Sequence, residues 1–265
     1  MVHTLQYKDG HLRYEEKGQG FPVILLHGFM ESLDIWDDLS EKLAEKYRVI
    51  AIDLPGHGKS SVLEPVHTMD LMADSVKFVM DSLNLEQAAI VGHSMGGYTA
   101  LQFLKDYPER VKCLVLLHST PFPDTEERKK ARDQIILDIK HGKKVQFAKE
   151  FVKQTFAEDN LDRLVRPIGF LKIIAINTSN DGIIAALEGM KLRPSYKDVI
   201  EQTDKPVLWI LGKKDKFIPV DVYRDLNLKE NVKIAILENS GHQGYIEEFD
   251  KVLDLLETFF AECNN

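Results

Sequence analysis

Apolar runs of four to six residues recur along the chain, with longer amphipathic segments between them. Five runs carry no polar alternation, which is typical of strands that are covered on both faces in a parallel sheet. These runs are residues 23–26, 49–52, 88–91, 113–117 and 207–211. A sixth run, 232–237, includes Lys233 and is therefore expected nearer to a sheet edge.

The segments between the runs have the three- and four-residue spacing of amphipathic helices. The clearest are residues 33–46, 69–83, 95–107 and 246–260. Strands that alternate with helices predict a doubly wound, mostly parallel α/β sheet. Two short apolar segments near the start, 5–7 and 12–14, flank Asp9-Gly10 and predict a β-hairpin.

This alternation stops between residues 121 and 203. The stretch opens with Pro121 and Pro123, has helical spacing and contains no clear strand pattern, and the strand rhythm resumes after Lys205-Pro206. We therefore predict an α/β core built from residues 1–120 and 204–265, into which residues 121–203 are inserted as a helical cap.

Composition and charge narrow the classes of function. The net charge is −8, which argues against nucleic-acid binding because that requires clustered positive charge. Two cysteines do not indicate a disulfide framework, and the N-terminus as written lacks a signal-peptide pattern. No run approaches the roughly 18 apolar residues of a membrane span. We expect a cytoplasmic protein with no membrane partner.

The predicted cap differs in charge from the rest of the chain. Residues 122–203 hold 15 Lys and Arg against 13 Asp and Glu, a net charge of +2, so the remainder carries −10. A solvated helical face is the simplest explanation of this difference. Electrostatic steering of an anionic substrate is the alternative.

Three glycines surround one serine directly after the third buried run, in the segment 92–97 (GHSMGG). Gly92 and Gly96 each stand two residues from Ser94, a spacing that predicts a sharp strand-to-helix turn with the serine at its tip. A serine hydroxyl is a poor nucleophile unless a positioned base takes its proton. The segment therefore predicts a nucleophile, provided that a base and an acid lie nearby.

Candidates for both partners follow later strands. Asp215 comes just after the run 207–211, and His242 comes just after 232–237, beside Gly241. Both would lie at the carboxyl edge of a parallel sheet, where such sheets bind ligands. Two simpler roles remain open: Asp215 could cap a helix that begins near residue 218, and His242 could be an ordinary loop histidine.

Together these motifs resemble the α/β-hydrolase superfamily, and in particular its small cap-bearing serine esterases. Nucleophile, acid and histidine occur in the chain order of that fold. The resemblance covers about residues 20–120 and 205–260, and in the cap only 186–190 and 193–194. Its motifs are His27-Gly28-Phe29 as the oxyanion loop, residues 53–60 as the turn after the fourth strand, residues 92–97 as the nucleophile elbow, and Asp215 with Gly241-His242 as the rest of a triad.

The resemblance implies a role for each site residue. Ser94 attacks the substrate, His242 relays protons and Asp215 orients His242, while the backbone N–H groups of Phe29 and Met95 hold the oxyanion. The candidate residues of the substrate pocket are Phe29, His118, Phe147, Phe151, Phe170 and Met190.

The identity of the nucleophile narrows the reaction. Dehalogenases and epoxide hydrolases of this superfamily use aspartate, so Ser94 disfavours both activities. Serine fits the hydrolysis of small to medium carboxylic esters, with thioesters, lactones and the carbon–carbon bonds of β-diketones as alternatives. A small-ligand receptor on the same fold is the alternative outside enzymes.

Motifs for bound groups are missing from the sequence. We find no His-Glu-x-x-His or paired-cysteine pattern and no dinucleotide or phosphate loop. We therefore expect no cofactor and no metal, and a small-molecule ester as the partner.

Overall fold

One mixed sheet of eight strands organises the computed structural model, which describes residues 1–264. β1 (Val2–Tyr7) and β2 (Gly10–Lys17) form the antiparallel hairpin that Asp9-Gly10 predicts. The parallel strands are β3 (Pro22–Leu26), β4 (Arg48–Ile52), β5 (Ala88–His93), β6 (Val111–Leu117), β7 (Val207–Gly212) and β8 (Val232–Leu237). The predicted fold class is confirmed.

The strand order β1-β2-β4-β3-β5-β6-β7-β8 determines where a ligand can bind. From β3 the chain goes first to β4 on one side and then to β5 on the other, so the order reverses between β3 and β5. Loops diverge at such a reversal and leave a crevice at the carboxyl ends of the strands. β8 lies at the edge, where Lys233 is exposed, whereas every residue of β5 and β7 is buried.

The core helices form two groups. α1 (Asp37–Leu43) and α10 (Phe249–Asn264) pack together, as do α2 (Met69–Ser82) and α3 (Met95–Asp106). Two predicted helices are interrupted. The segment 33–46 begins as a 3₁₀ turn at Leu33–Trp36, and 246–260 divides into α9 (Gly244–Glu247) and α10 because the backbone of Glu248 is not helical (φ −131°, ψ 55°).

The segment between β6 and β7 is helical. Its helices are α4 (Glu126–Lys140), α5 (Lys144–Thr155), α6 (Val165–Asn177), α7 (Asn180–Leu192) and α8 (Lys197–Gln202). α4 packs on α5 and α7, and α5 packs on α6. Within residues 1–264 no single helix is long and apolar enough to cross a membrane. α6 and α7 reach that length and composition only as a pair, which bends by 94°.

Candidate active site

Ser94 lies at the sharp turn between β5 and α3. Its backbone has φ 51° and ψ −111°, a conformation that costs energy for any residue with a Cβ. Four hydrogen bonds maintain it, one of them from the Tyr98 N–H to the Ser94 carbonyl (3.3 Å). The Ser94 N–H donates to the Leu117 carbonyl (3.0 Å), and the Ser94 carbonyl accepts from the Gly97 N–H (2.9 Å) and the Ser119 hydroxyl (2.8 Å). The strain is therefore compensated by the neighbouring strand β6 and the loop after it.

The glycines on either side of Ser94 allow close backbone packing. A Cβ on Gly92 would lie 2.4 Å from the Gly96 carbonyl oxygen, and a Cβ on Gly96 would lie 2.3 Å from the carbonyl oxygen of Leu26. Both distances are too short for non-bonded atoms. Glycine is required here because α3 starts directly against the end of β3.

The three predicted triad residues are connected by hydrogen bonds. His242 Nε2 lies 2.9 Å from Ser94 Oγ, and His242 Nδ1 lies 2.7 Å from Asp215 Oδ2. An ionised carboxylate can only accept, so Nδ1 carries a proton and Nε2 is left to accept the serine proton. Burial alone would raise the pKa of Asp215, but its interactions and hydrogen bonds with His242 and His118 hold that pKa well below its usual range. Asp215 is therefore ionised.

Asp215 does not cap a helix. Its second oxygen, Oδ1, accepts from the N–H groups of Phe217 (2.7 Å) and Ile218 (3.1 Å). The segment that follows makes successive turns, in which Val222 N–H donates to the Pro219 carbonyl at three-residue spacing. The alternative of a helix from residue 218 is wrong. One carboxylate oxygen instead fixes the loop, while the other faces His242.

Two backbone N–H groups are available for an oxyanion. Met95 is the first residue of α3, where the helix dipole favours negative charge. Phe29 follows β3, on the other side of the strand-order reversal. Within residues 1–264, neither N–H donates to another group of the chain. The neighbouring Gly28 N–H donates to Glu31 Oε2 (2.6 Å), which fixes the loop that presents Phe29.

A buried ion pair that the sequence did not reveal connects this loop to the loop that carries His242, residues 238–243, called the histidine loop below. His93 Nδ1 lies 2.9 Å from Glu31 Oε2, and His93 Nε2 lies 2.9 Å from the backbone carbonyl of His242. Gln243 donates to Glu31 Oε1 at 3.0 Å. Both atoms that face His93 are acceptors, so both ring nitrogens must donate and the ring is an imidazolium.

Glu31 and His93 each stabilise the charged form of the other. Burial would raise the pKa of Glu31, but the charge of His93 and four hydrogen-bond donors lower it to about 2. Burial would lower the pKa of His93, but Glu31 raises it above its ordinary value. The pair therefore holds a proton within hydrogen-bond distance of the His242 backbone.

His118 was predicted to line the substrate pocket, but it does not. It is fully buried behind the triad, where its Nδ1 lies 3.4 Å from Asp215 Oδ2. Its Nε2 accepts the Gly244 N–H (3.1 Å), so the ring proton must be on Nδ1 and faces Asp215. Burial lowers the pKa of His118 to about 4, which keeps the ring neutral. The sequence placed this residue near the site but could not show which way its ring points.

The histidine loop rests on the cap. The His242 N–H donates to the Thr155 carbonyl (2.6 Å) at the end of α5. Glu247 accepts from the Ala157 N–H (2.8 Å), the Gly241 N–H (2.8 Å) and the Asn160 side chain (2.9 Å). Burial outweighs these bonds and raises the pKa of Glu247. Sequence reasoning missed these partners, because nothing in the local pattern connects positions about 90 residues apart.

A cavity of about 240 Å³ opens onto Ser94 and His242. Phe29, Phe147, Phe151 and Met190 line it, as expected from the sequence. Further residues of its wall were not predicted; they are Tyr98, Arg128, Ala131, Arg132, Ile135, Gln154, Leu187, Phe217 and Ile218.

Phe170 lies outside this cavity, contrary to the prediction. Its side chain is 45% exposed and lines a separate cavity with Asp34, Pro167 and Tyr245. α5, which carries Phe147 and Phe151, lies over Ser94, whereas α6 packs on α5 and presents Phe170 elsewhere. The helical pattern alone could not distinguish these two positions.

One group of residues in the described chain has the spacing of a metal site. Ligand atoms of His118, Asp215 and His242 lie within 4.8 Å of one another. A cation there would have to replace the Asp215–His242 hydrogen bond and the proton on His118 Nδ1. The residues that could hold a metal are thus the same ones whose hydrogen bonds orient His242.

Comparison with known proteins agrees with this geometry. The family model for the alpha/beta hydrolase fold matches residues 22–142. A thermophilic esterase from Thermogutta terrifontis, solved with malate bound, superposes with a TM-score of 0.93 over 100% of both chains at 25% identity. A 2-hydroxy-6-oxononadienedioate/2-hydroxy-6-oxononatrienedioate hydrolase from Paraburkholderia phymatum is 29% identical over 95% of this chain and 91% of its own length.

A third relative is similar over a shorter stretch. The dihydrolipoyllysine-residue acetyltransferase component of the acetoin cleaving system from Cupriavidus necator is 43% identical over 114 residues, which are 43% of this chain and 30% of that protein. The family model, the full-length structural match and the arrangement of strands, loops and site agree with one another. The chain therefore belongs to the α/β-hydrolase superfamily, as its motifs predicted.

Proposed function

We propose that the protein is a serine hydrolase that cleaves small to medium carboxylic esters through an acyl-enzyme. The observation that carries this proposal is the continuous hydrogen-bond chain from Ser94 through His242 to ionised Asp215, which opens onto a small, largely apolar cavity. A receptor would need the cavity, but it would have no use for a base poised on a strained serine.

The proposed reaction has two halves, acylation of Ser94 and hydrolysis of the acyl-enzyme, and the same groups act in both. His242 Nε2 takes the Ser94 proton as Oγ attacks the ester carbon, and the resulting oxyanion accepts hydrogen bonds from the Phe29 and Met95 N–H groups. His242 then gives this proton to the leaving alcohol. In the second half a water molecule gives a proton to His242 and attacks the acyl carbon. His242 then returns this proton to Ser94 Oγ as the bond between Oγ and the acyl carbon breaks and the carboxylic acid leaves.

The size of the cavity argues for a short acyl group. About 240 Å³ is smaller than the roughly 300–1,000 Å³ usual for sites that bind small molecules, and aromatic rings of Phe29, Phe147 and Phe151 bound it. We expect kcat/KM for 4-nitrophenyl esters to be highest at two to six acyl carbons and to fall at least about tenfold by twelve. The comparison requires monomeric substrates, and a maximum at sixteen carbons or a rise on adding emulsion would contradict it.

Hydrolysis of a carbon–carbon bond is the second candidate. The relative from Paraburkholderia phymatum is named for a dioate that has no ester group, and it is similar over nearly the full length of both chains. The same triad could serve that reaction. The same arrangement of groups could also hydrolyse thioesters and lactones.

A panel of esters, thioesters, lactones and β-diketones would decide between these activities. Ser94→Ala serves as the blank and Ser82→Ala, at an exposed position on α2, as the matched control. We expect multiple turnovers on short esters, a loss of about 10⁴-fold or more in Ser94→Ala, and no change in Ser82→Ala. If only β-diketones turn over, the ester proposal is wrong. If the protein is a receptor, none of these substrates should be turned over.

A further inference from the structure

The cavity over Ser94 contains more positive charge than its surroundings neutralise. Arg128 and Arg132 both line it and lie one turn apart on α4. Elsewhere the wall is largely apolar, and the chain as a whole carries a net charge of −8. Both arginines are half-buried, and a guanidinium group that is partly removed from water is destabilised unless an anion faces it, so their place in this wall needs an explanation.

Arg132 has a partner in the protein, although that partner is shared. Asp124, whose side chain is fully buried, accepts from Arg132 Nη2 at 3.2 Å and also faces Arg193 Nη1 at 2.8 Å. Arg193 lies 4.0 Å above the ring of Tyr98, which lines the cavity. One carboxylate thus serves two guanidinium groups.

Arg128 has no acidic partner. Within residues 1–264 no carboxylate oxygen lies within 4.0 Å of its guanidinium nitrogens, and its single side-chain hydrogen bond goes from Nη2 to the backbone carbonyl of Phe217. A guanidinium has five N–H donors in a planar fork. Asp124 pairs with Arg132 and Arg193, so Arg128 is the cation of the cavity wall that is left without an acid.

We infer that the substrate carries a carboxylate in addition to its scissile ester, and that Arg128 binds this carboxylate. The inference rests on the proposed esterase function and names the substrate class for the same site. The planar fork of arginine matches a carboxylate, and the partial exclusion of water strengthens the interaction. The preferred substrates are then small half-esters of dicarboxylic acids, or lactones that bear a carboxylate.

Matched substrates test this inference on the unmodified protein. Monomethyl esters of linear dicarboxylic acids with four to seven carbons are compared with methyl esters of monocarboxylic acids of the same chain length. We expect at least one chain length at which the anionic member has a kcat/KM about 10- to 100-fold higher, the gain typical of a charge-assisted hydrogen bond. No preference at any length would overturn the inference.

Variants assign the preference to Arg128. Arg128→Gln should lose most of the ratio between anionic and neutral esters, and Arg128→Lys should keep part of it. Lys130→Gln makes the same change of charge on the same helix at an exposed position outside the cavity, and it should keep the full ratio. If Arg128→Gln lowers both members of each pair equally, its role is to hold the Phe217 carbonyl and the inference is wrong.

One further measurement covers the case in which Arg128→Gln fails to fold. Adipate should inhibit hydrolysis of a neutral ester by the wild type competitively and at least about tenfold more strongly than adipamide. Equal inhibition would contradict the inference. Turnover of neutral esters that depends on Ser94, without any anionic preference, would refute this inference alone. Absence of Ser94-dependent turnover on every ester would refute the proposed function itself.

Discussion

Individual residues around Ser94 are held by partners that lie far away in the sequence. Glu31 and His93 are 62 positions apart, yet together they contact the oxyanion loop through Gly28 and the histidine loop through the carbonyl of His242. Because both nitrogens of His93 face acceptors, this arrangement depends on a proton. Glu31 and His93 thus hold the backbone of the two loops that carry Phe29 and His242.

Glu31→Gln should change the pH dependence of activity. Glu31 raises the pKa of His93, so removing its charge lowers that pKa and His93 loses its proton at lower pH. We expect the alkaline fall in kcat/KM to move to lower pH and kcat at neutral pH to drop about 10- to 100-fold. The pH profile of a short ester measures both. Glu41→Gln, an exposed change on α1, is the control, and an unshifted alkaline limb would contradict this role.

At the scale of elements, the carboxyl ends of the strands determine where the site residues lie. Ser94, Asp215 and His242 could be predicted because each follows an apolar run, and parallel strands place their carboxyl ends along one edge. The partners of Glu247 could not be predicted, because they depend on how the cap docks. Phe170 was placed wrongly for a related reason: helical spacing identifies an apolar face but does not show what that face packs against.

Gly96→Ala tests the close contact between α3 and β3. The added methyl would lie 2.3 Å from the Leu26 carbonyl oxygen, so α3 must shift and carry the Met95 N–H with it. We expect a loss of about 1–3 kcal/mol in the free energy of unfolding and at least about a 100-fold fall in kcat. Gly169→Ala is the control, because its methyl meets no atom within 4 Å on α6. That variant should be neutral or slightly more stable, and an active, stable Gly96→Ala protein would refute the packing argument.

The whole molecule combines a sheet that the sequence pattern describes well with a cap that it describes only as helical. Five of the six parallel strands follow from runs that show no polar alternation, and the sixth, β8, follows from a run that includes Lys233 and lies at the sheet edge. The cap contacts the core through polar groups such as Thr155 and Asn160, whose partners follow no period. Substrate preference therefore depends on the part of the chain that is hardest to interpret from sequence.

Stability should fall in acid because buried carboxylates are ionised in the folded protein. The pKa of Glu31 is about 2 against an ordinary 4.5, so its contribution is complete above pH 4.5 and is lost as the pH falls towards 2. The size of this contribution is on the order of 3 kcal/mol. Urea unfolding between pH 7 and pH 2 should show a shallower decline in Glu31→Gln than in the wild type. Parallel curves for the two proteins would contradict the assignment.

The most direct test of the account is covalent labelling of Ser94. An alkyl fluorophosphonate forms a stable adduct only with a serine that a neighbouring base activates. We predict one adduct per chain, located by peptide mass spectrometry on Ser94, with ester hydrolysis falling in proportion to labelling and no adduct in Ser94→Ala. An adduct on another residue, or full ester hydrolysis by a completely labelled protein, would contradict the central claim that Ser94 is the nucleophile.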